Sequence, residues 1–469
     1  MPCKLIRNAL AVVTMDDAGS EVPGGDVLVR DGVIAAVGLG LDAPVGEACE
    51  VIDATGKVVL PGLVNTHHHL YQTLTRNLPR VADAKLFDWL VELYEVWRGL
   101  DEDAVEAGAL VGVAELLLTG CTSTTDHFYV FPSGAPGDLL DRTIEAAAVL
   151  GIRFHPTRGS MSRGRSLGGL PPDDVVQGED AILADCERVL ARWHDPSRFS
   201  MCRVGLAPCS PFSVTTDLLR RTADLARAAG VRMHTHLAET LDENEFCLSA
   251  VGMRPLAYME SVGWLGPDVW YAHGVHFTDS ELDVLARTGT AIAHCPSSNM
   301  RLGSGTARVP DMVARRVTVG LAVDGSASND SSSMVREMTH CMLVNRVAWG
   351  VDRMPARTVL RVATRGGARL LGREDAIGSI EPGKAADIAI FDLSEVGFAG
   401  ATFDPAAAIL FCGTLGRADT VLVNGEVVVA GGRLTRMDEA AIRRRGDDAA
   451  RRLLDRATRR TGRDYLKPM

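Results

Sequence analysis

The stretch Leu60-Pro61-Gly62-Leu63-Val64-Asn65-Thr66-His67-His68-His69 decides how the rest of the chain is read. A short apolar run ends in three consecutive histidines. Alternate residues of a β-strand share a face, so His67 and His69 present their imidazoles to one side and His68 faces away. Where such a strand passes into a loop, the two rings can share a metal ion. The remaining ligands must then come from elsewhere in the chain.

The composition narrows the class. The 469 residues are 46% hydrophobic and 5% aromatic, as in a large globular enzyme, and their formal net charge is −11. No long basic run occurs before the C-terminal tail, which argues against nucleic acid or an anionic membrane as partner. Ten cysteines are scattered without a C-x-x-C pair, a pattern expected of unpaired structural thiols in a reducing compartment. The N-terminus lacks a signal-peptide apolar core, and no apolar run reaches the length of a membrane span. A soluble, cytoplasmic protein is expected.

On either side of the histidines the texture differs. Residues 1–60 read as short strands and turns: Asp26-Val27-Leu28-Val29-Arg30 and Val33-Ile34-Ala35-Ala36-Val37-Gly38 flank Asp31-Gly32, a hairpin signal. Val51-Ile52-Asp53-Ala54-Thr55-Gly56 and Lys57-Val58-Val59-Leu60 repeat the pattern. Beyond His69, helical stretches (86–100, 103–118, 217–229, 279–288) alternate with short buried strands. The strands are expected at 63–66, 121–125, 152–157, 204–207, 231–235, 269–272, 290–293 and 317–323. Eight parallel strands alternating with helices predict an α/β fold, a (β/α)8 TIM barrel. Strand texture returns past residue 363, with Thr420-Val421-Leu422-Val423 and Glu426-Val427-Val428-Val429 about an Asn424-Gly425 turn. The expected organisation is a β-sandwich half over 1–60, the barrel over 61–365, the second half over 366–435 and a helix over 436–469. The arginines of that last helix, interspersed with acids, are expected to lie on a solvated face.

The chemistry collects at the ends of the predicted strands, where barrel enzymes carry their active sites. Of 12 histidines, His67 and His69 end strand one, His236 ends strand five and His273 ends strand six. Asp324 ends strand eight in Ala322-Val323-Asp324-Gly325-Ser326. Imidazoles with one carboxylate suit a divalent transition metal with room left for water. Water held by such an ion is acidified toward pKa ~7. Glu239, three residues beyond His236, is close enough to handle its proton.

This ordered pattern, H-x-H, H-x-x-E, H and D, resembles the amidohydrolase superfamily, specifically its mononuclear deaminase and chlorohydrolase branch. The resemblance runs from the hairpins before Pro61-Gly62-Leu63 to Gly383-Lys384-Ala385-Ala386-Asp387 and Val423-Asn424-Gly425. It implies that His67, His69, His236 and Asp324 are metal ligands, that Glu239 shuttles protons and that His273 polarises or hydrogen-bonds the attacked group. Asp324 would also help deprotonate the nucleophilic water. Binuclear members usually bridge two ions with a carboxylated lysine at the end of strand four. The five lysines here (Lys4, Lys57, Lys85, Lys384, Lys467) lie elsewhere. One ion per chain is therefore expected, zinc by preference, with ferrous iron also compatible with the ligands.

Within the branch, Asn65-Thr66-His67-His68-His69-Leu70-Tyr71-Gln72, Leu86-Phe87-Asp88-Trp89-Leu90, Arg158-Gly159-Ser160-Met161-Ser162 and His294-Cys295-Pro296-Ser297-Ser298-Asn299-Met300-Arg301 look closest to 8-oxoguanine deaminases. The implied reaction is hydrolytic deamination of 8-oxoguanine to uric acid and ammonia. The alternative is a deaminase or amino/chlorohydrolase acting on an isoxanthopterin-type pterin or an s-triazine such as hydroxyatrazine. Gln72 and Arg158, expected on loops above strands one and three, are the candidates for reading the ring. Trp89 is expected to pack the core or wall the pocket, and the role of His127, just after strand two, is open. Gly274 departs from relatives that carry cysteine after the strand-six histidine. The partner is a small heterocycle, with no nucleic acid and no membrane, and a homo-oligomer is expected. A non-catalytic scaffold of the same fold is the competing reading, but such proteins lose ligands and this chain keeps the set. Elemental analysis should find close to one divalent ion per chain, and chelation should abolish activity. Two tightly held ions per active chain would contradict the single-metal reading.

Overall fold

In the computed structural model, residues 3–46, 48–412 and 416–469 are described. Eight parallel strands close into a barrel: β1 (Leu63–Asn65), β2 (Cys121–Phe128), β3 (Arg153–Ser160), β4 (Gly205–Pro208), β5 (Met233–Leu237), β6 (Val269–His273), β7 (Ala291–His294) and β8 (Val319–Leu321). They follow one another in sequence order, and β8 closes on β1 through Leu321 and Asn65. Each is buried on both faces, as expected where helices cover the outside. Among the described residues, no helix is long and apolar enough to cross a membrane.

Two further sheets stand apart from the barrel. One has four strands in the order Val33–Gly38, Asp26–Arg30, Cys3–Arg7, Cys49–Asp53. The other has seven, and in it Lys57–Pro61 pairs antiparallel with Ile388–Asp392, Leu60 opposite Ala389. That pairing joins the two ends of the chain. Ile6, Val12, Val27, Val59, Ile388 and Leu422, drawn from both sheets, share one apolar core, so the two sheets form a sandwich. The Asp31-Gly32 and Asn424-Gly425 turns have positive φ at both positions (50° and 80°, 49° and 80°), the geometry that matches hairpin twist.

Two expectations are corrected. The runs before and after Gly56 are not a hairpin. Cys49–Asp53 pairs in parallel with Cys3–Arg7, while Lys57–Pro61 enters the other sheet. Ala54, fully buried, turns the chain across the sandwich, its N–H donating to Arg7 O at 2.8 Å. Nor are all ten cysteines thiols. Cys3 and Cys49 face each other in that parallel register and are joined by a disulfide, leaving eight free. A pairing between strands 46 residues apart carries no local signature in the chain.

The terminal helix Glu439–Thr461 buries Ile442, Gly446, Ala449, Leu453 and Ala457 along one stripe. Its arginines turn to the acidic start of Glu102–Leu118, with Arg445 on Asp103 and Glu106 at 3.0 and 2.8 Å. These pairs are half exposed and individually contribute little.

The joint between sandwich and barrel is different. Arg153, the first residue of β3, is fully buried and grips Asp387 with two bonds of 2.9 Å. Its third nitrogen donates to the carbonyls of Phe199 and Ser200 at 2.8 Å. Asp387 also accepts the Asn424 N–H at 2.7 Å, and its own carbonyl accepts Gly62 N–H at 2.8 Å where the chain enters β1. The sandwich therefore docks at the N-terminal ends of the strands, and the opposite end is left for the site. Asp387→Ala, which strands a buried guanidinium, should cost about 3–5 kcal/mol in a denaturant titration. Arg452→Ala on the terminal helix should change it by about 1 kcal/mol or less.

Candidate metal centre and active site

His67 and His69 follow β1, His236 lies in β5, and Asp324 follows β8. All reach the same point at the C-terminal mouth of the barrel. His67 Nε2 lies 3.2 Å and His69 Nε2 3.4 Å from Asp324 Oδ1, and the Nε2 atoms of His69 and His236 are 3.1 Å apart. Their hydrogen bonds decide where the ring protons sit. His69 Nδ1 donates to His127 O at 2.7 Å, and His236 Nδ1 donates to Cys209 O at 2.6 Å. His234 Nδ1 donates to Trp270 O at 3.0 Å, so its Nε2 is an acceptor and takes the proton of His67 Nδ1 at 2.7 Å. All three rings thus turn an Nε2 lone pair toward one centre.

Burial lowers the pKa of His67, His69 and His236, which keeps them neutral near pH 7. His67 Nε2 has no donor facing it; the Asp324 carboxylate and the other ligand rings surround it. Facing lone pairs beside a carboxylate repel one another, and a cation between them removes the repulsion. The donor set, three imidazole nitrogens and one carboxylate oxygen, fits a divalent ion such as zinc.

Two reactive groups border this centre. Glu239 Oε2 lies 3.5 Å from His273 Nε2, which lies 4.0 Å from Asp324 Oδ2. Burial raises the Glu239 carboxyl to about 7; the nearby His273 lowers it in part and Asp324 raises it further. Burial opposes charge on His273, but Glu239 and Asp324 outweigh it and raise its pKa. His273 Nδ1 donates to Asn299 Oδ1 at 3.0 Å, which aims Nε2 at the carboxylates. Asp324 accepts Gly325 N–H at 2.7 Å and the Ser328 hydroxyl at 3.0 Å. Ala238, His273 and Asp324 all have positive φ (54°, 74°, 65°), a strained conformation that surrounding structure must hold.

The residues expected from sequence separate clearly. His67, His69, His236, Glu239, His273 and Asp324 are brought together. Gln72 lines the same cavity, its buried Oε1 without a partner. Trp89 lines it too, with Tyr94, Tyr129 and Phe212. His68 turns away to Ser332 Oγ at 3.0 Å. His127 joins the histidine cluster, orienting His69 through its carbonyl while its own Nε2 donates to Ala207 O at 2.8 Å. Gly274 has φ +60°, and a Cβ there would come within 3.0 Å of Phe277.

Arg158 is the correction. Strand β3 runs on to Ser160, so Arg158 lies in the strand and not on a loop above it. Thr157 pairs with His127, whose ring is inside the barrel. One residue later the strand faces outward. Arg158 meets Asp185 at 2.7 Å and Gln177 at 2.8 Å, with its guanidinium over the Phe131 ring. It does not line the cavity. Sequence reasoning also passed over His234, although its place two residues before His236 on one strand puts both on the same face. Asn299 and Ser328, which hold His273 and Asp324, carry no such spacing signal.

Residues 58–428 match the amidohydrolase family. The chain is 47% identical to an 8-oxoguanine deaminase of Pseudomonas aeruginosa, over 96% of this chain and 98% of that protein. It is 38% identical to the hydroxydechloroatrazine ethylaminohydrolase of Pseudomonas sp. strain ADP, over 94% of each. The zinc-complexed crystal structure of an atrazine chlorohydrolase from Arthrobacter aurescens TC1 superposes with a TM-score of 0.91 at 34% identity, covering 95% of this chain and all of that one. His234→Ala frees the His67 tautomer and should weaken metal binding by ~10–100-fold in a chelator competition. Unchanged affinity would contradict the hydrogen-bond chain from His67 through His234 to the Trp270 carbonyl.

Proposed function

The chain belongs to the amidohydrolase family and is a hydrolytic enzyme; on that premise we propose that it deaminates a purine-like heterocycle, 8-oxoguanine, to uric acid and ammonia, with one zinc ion per chain. The observation that carries the reading is the convergence of three imidazole lone pairs and a carboxylate beside a second, protonatable carboxyl. His67, His69 and His236 would hold the ion through their imidazoles, with Asp324 as the carboxylate ligand. A zinc ion there is a Lewis acid that makes hydroxide available at neutral pH.

The chain's own groups handle protons and orientation. Asp324 Oδ2 takes a proton from the attacking water. With its pKa about 7, Glu239 carries a proton for much of the time at neutral pH, as a general acid requires. It delivers that proton to the ring nitrogen beside the amine-bearing carbon. Charged, as Glu239 and Asp324 favour, His273 keeps Nδ1 on Asn299 and donates from Nε2 to the oxygen that adds to that carbon. A tetrahedral carbon forms, the amine takes the proton held by Asp324, the new hydroxyl returns a proton to the Glu239 carboxylate as it becomes the carbonyl, and the C–N bond breaks to release ammonia. One water is consumed, and one C–O bond replaces one C–N bond. The walls suit a flat ring: Trp89, Tyr94, Tyr129 and Phe212 enclose it with Leu86 and Leu302. The partnerless oxygen of Gln72 is placed to accept a ring N–H.

The choice of 8-oxoguanine draws on the motifs around His67, Trp89 and Asn299 and on the Pseudomonas aeruginosa relative. Parallel ammonia assays with 8-oxoguanine, guanine, isoxanthopterin and hydroxyatrazine test it. 8-Oxoguanine should turn over fastest, and guanine, without the 8-oxo group, should be slower by ~10²-fold or more in kcat/KM. Ammonia from a pterin or triazine and none from 8-oxoguanine would overturn the substrate while leaving the reaction class standing.

A further inference from the structure

Glu243 is a buried carboxyl that the reaction above does not use. It is 1% exposed and stands third in the helix Leu241–Val251. Its Oε2 accepts the backbone N–H of Glu239 at 3.0 Å, and its Oε1 has no hydrogen-bond partner. A carboxyl so placed does little for stability, because burial is only partly offset by neutral backbone N–H groups.

Another helix of the same chain shows what a glutamate in this position ordinarily does. At the start of Asp279–Thr288, Glu281 reaches back to the N–H of the cap residue Thr278 at 2.8 Å, and the Thr278 hydroxyl accepts Glu281 N–H in return. That is a reciprocal capping box. At Leu241–Val251 the cap residue is Thr240, whose hydroxyl has no partner. Glu243 bypasses it and reaches one residue further, to Glu239. Its bond serves the turn before the helix and leaves the cap alone.

That turn is strained. Ala238 has φ +54°, a left-handed conformation unfavourable to a residue with a Cβ. From one side the segment after His273 holds it, Val275 and His276 donating to Ala238 O at 2.9 and 3.0 Å. From the other side Glu243 holds it through Glu239 N–H. Between these clamps the Glu239 side chain is aimed at His273.

We infer that Glu243 is a positioning residue for proton transfer: through the Glu239 N–H it holds the turn at Ala238 and sets the direction of the Glu239 carboxyl. This rests on Glu239 being the proton-transfer group. Glu243→Met, similar in size but without an acceptor, should keep its zinc and a KM within ~3-fold while kcat falls by ~10–100-fold. Glu243→Gln, whose carbonyl can still accept the N–H, should recover most of that loss. Glu243→Asp keeps the charge but falls short of the amide; it should behave like the Met variant and supplies the same test if that variant does not fold. In a Glu239→Gln background, Glu243→Met should cause no further fall, because the carboxyl it aims is gone. Wild-type turnover in Glu239→Gln would sink both the proton-transfer reading and this one. An impaired Glu239→Gln with wild-type kcat in Glu243→Met and Glu243→Asp would sink this one alone. So would an equal fall from Glu243→Met in both backgrounds.

Discussion

Three neutral imidazoles with lone pairs converging beside a carboxylate form an arrangement that repels itself. The surrounding hydrogen bonds fix that arrangement and suit it to a cation. The Nδ1 protons are pinned by the His127 and Cys209 carbonyls and by His234, so none of the rings can relieve the strain by changing tautomer. His234 is in turn fixed by the Trp270 carbonyl and stacked on the Trp270 ring, with centroids 4.5 Å apart. The support thus runs from the mouth of the barrel into its closed interior. A closed sheet suits this purpose because no strand end can move without disturbing its hydrogen-bonded neighbours.

The two ends of the barrel carry different burdens. At the N-terminal end, Arg153 and Asp387 satisfy each other and the carbonyls around them, and the backbone enters β1 beside Asp387. At the C-terminal end, His67 Nε2 and Gln72 Oε1 are left without hydrogen-bond partners in the cavity, and Ala238, His273 and Asp324 stand at positive φ. Such a division follows from energetics. Strain and unsatisfied groups at a site persist only where the rest of the fold is secure enough to hold them.

Burial also assigns the protonation states. The same exclusion of water that keeps the ligand histidines neutral raises Glu239 to about 7. His273 departs from its neighbours because it alone faces two carboxyls, Glu239 and Asp324, closely enough for their attraction to exceed the cost of burying its charge. One desolvated cavity therefore holds neutral bases beside a carboxyl–imidazole pair poised to exchange a proton.

Much of this was legible in the chain. Period-two alternation and turn chemistry are local, so the Asp31-Gly32 and Asn424-Gly425 hairpins, the eight barrel strands and the polar residues ending them could be read from neighbours in sequence. The residues brought together at the metal centre were legible for the same reason, since strand ends in a parallel barrel share one rim. Other features depended on partners far along the chain. The Cys3–Cys49 bridge, the sheet taken by Lys57–Pro61 and the outward turn of Arg158 toward Asp185 follow from register, and a shift of one residue reverses the face of every side chain. His234, Asn299, Ser328 and Glu243 act through single hydrogen bonds that exist only once the barrel has closed. Sequence determined which groups the chain possesses and where its strands end. Tertiary structure decided which of them point inward, because direction is set by pairing across space and not by the order of residues.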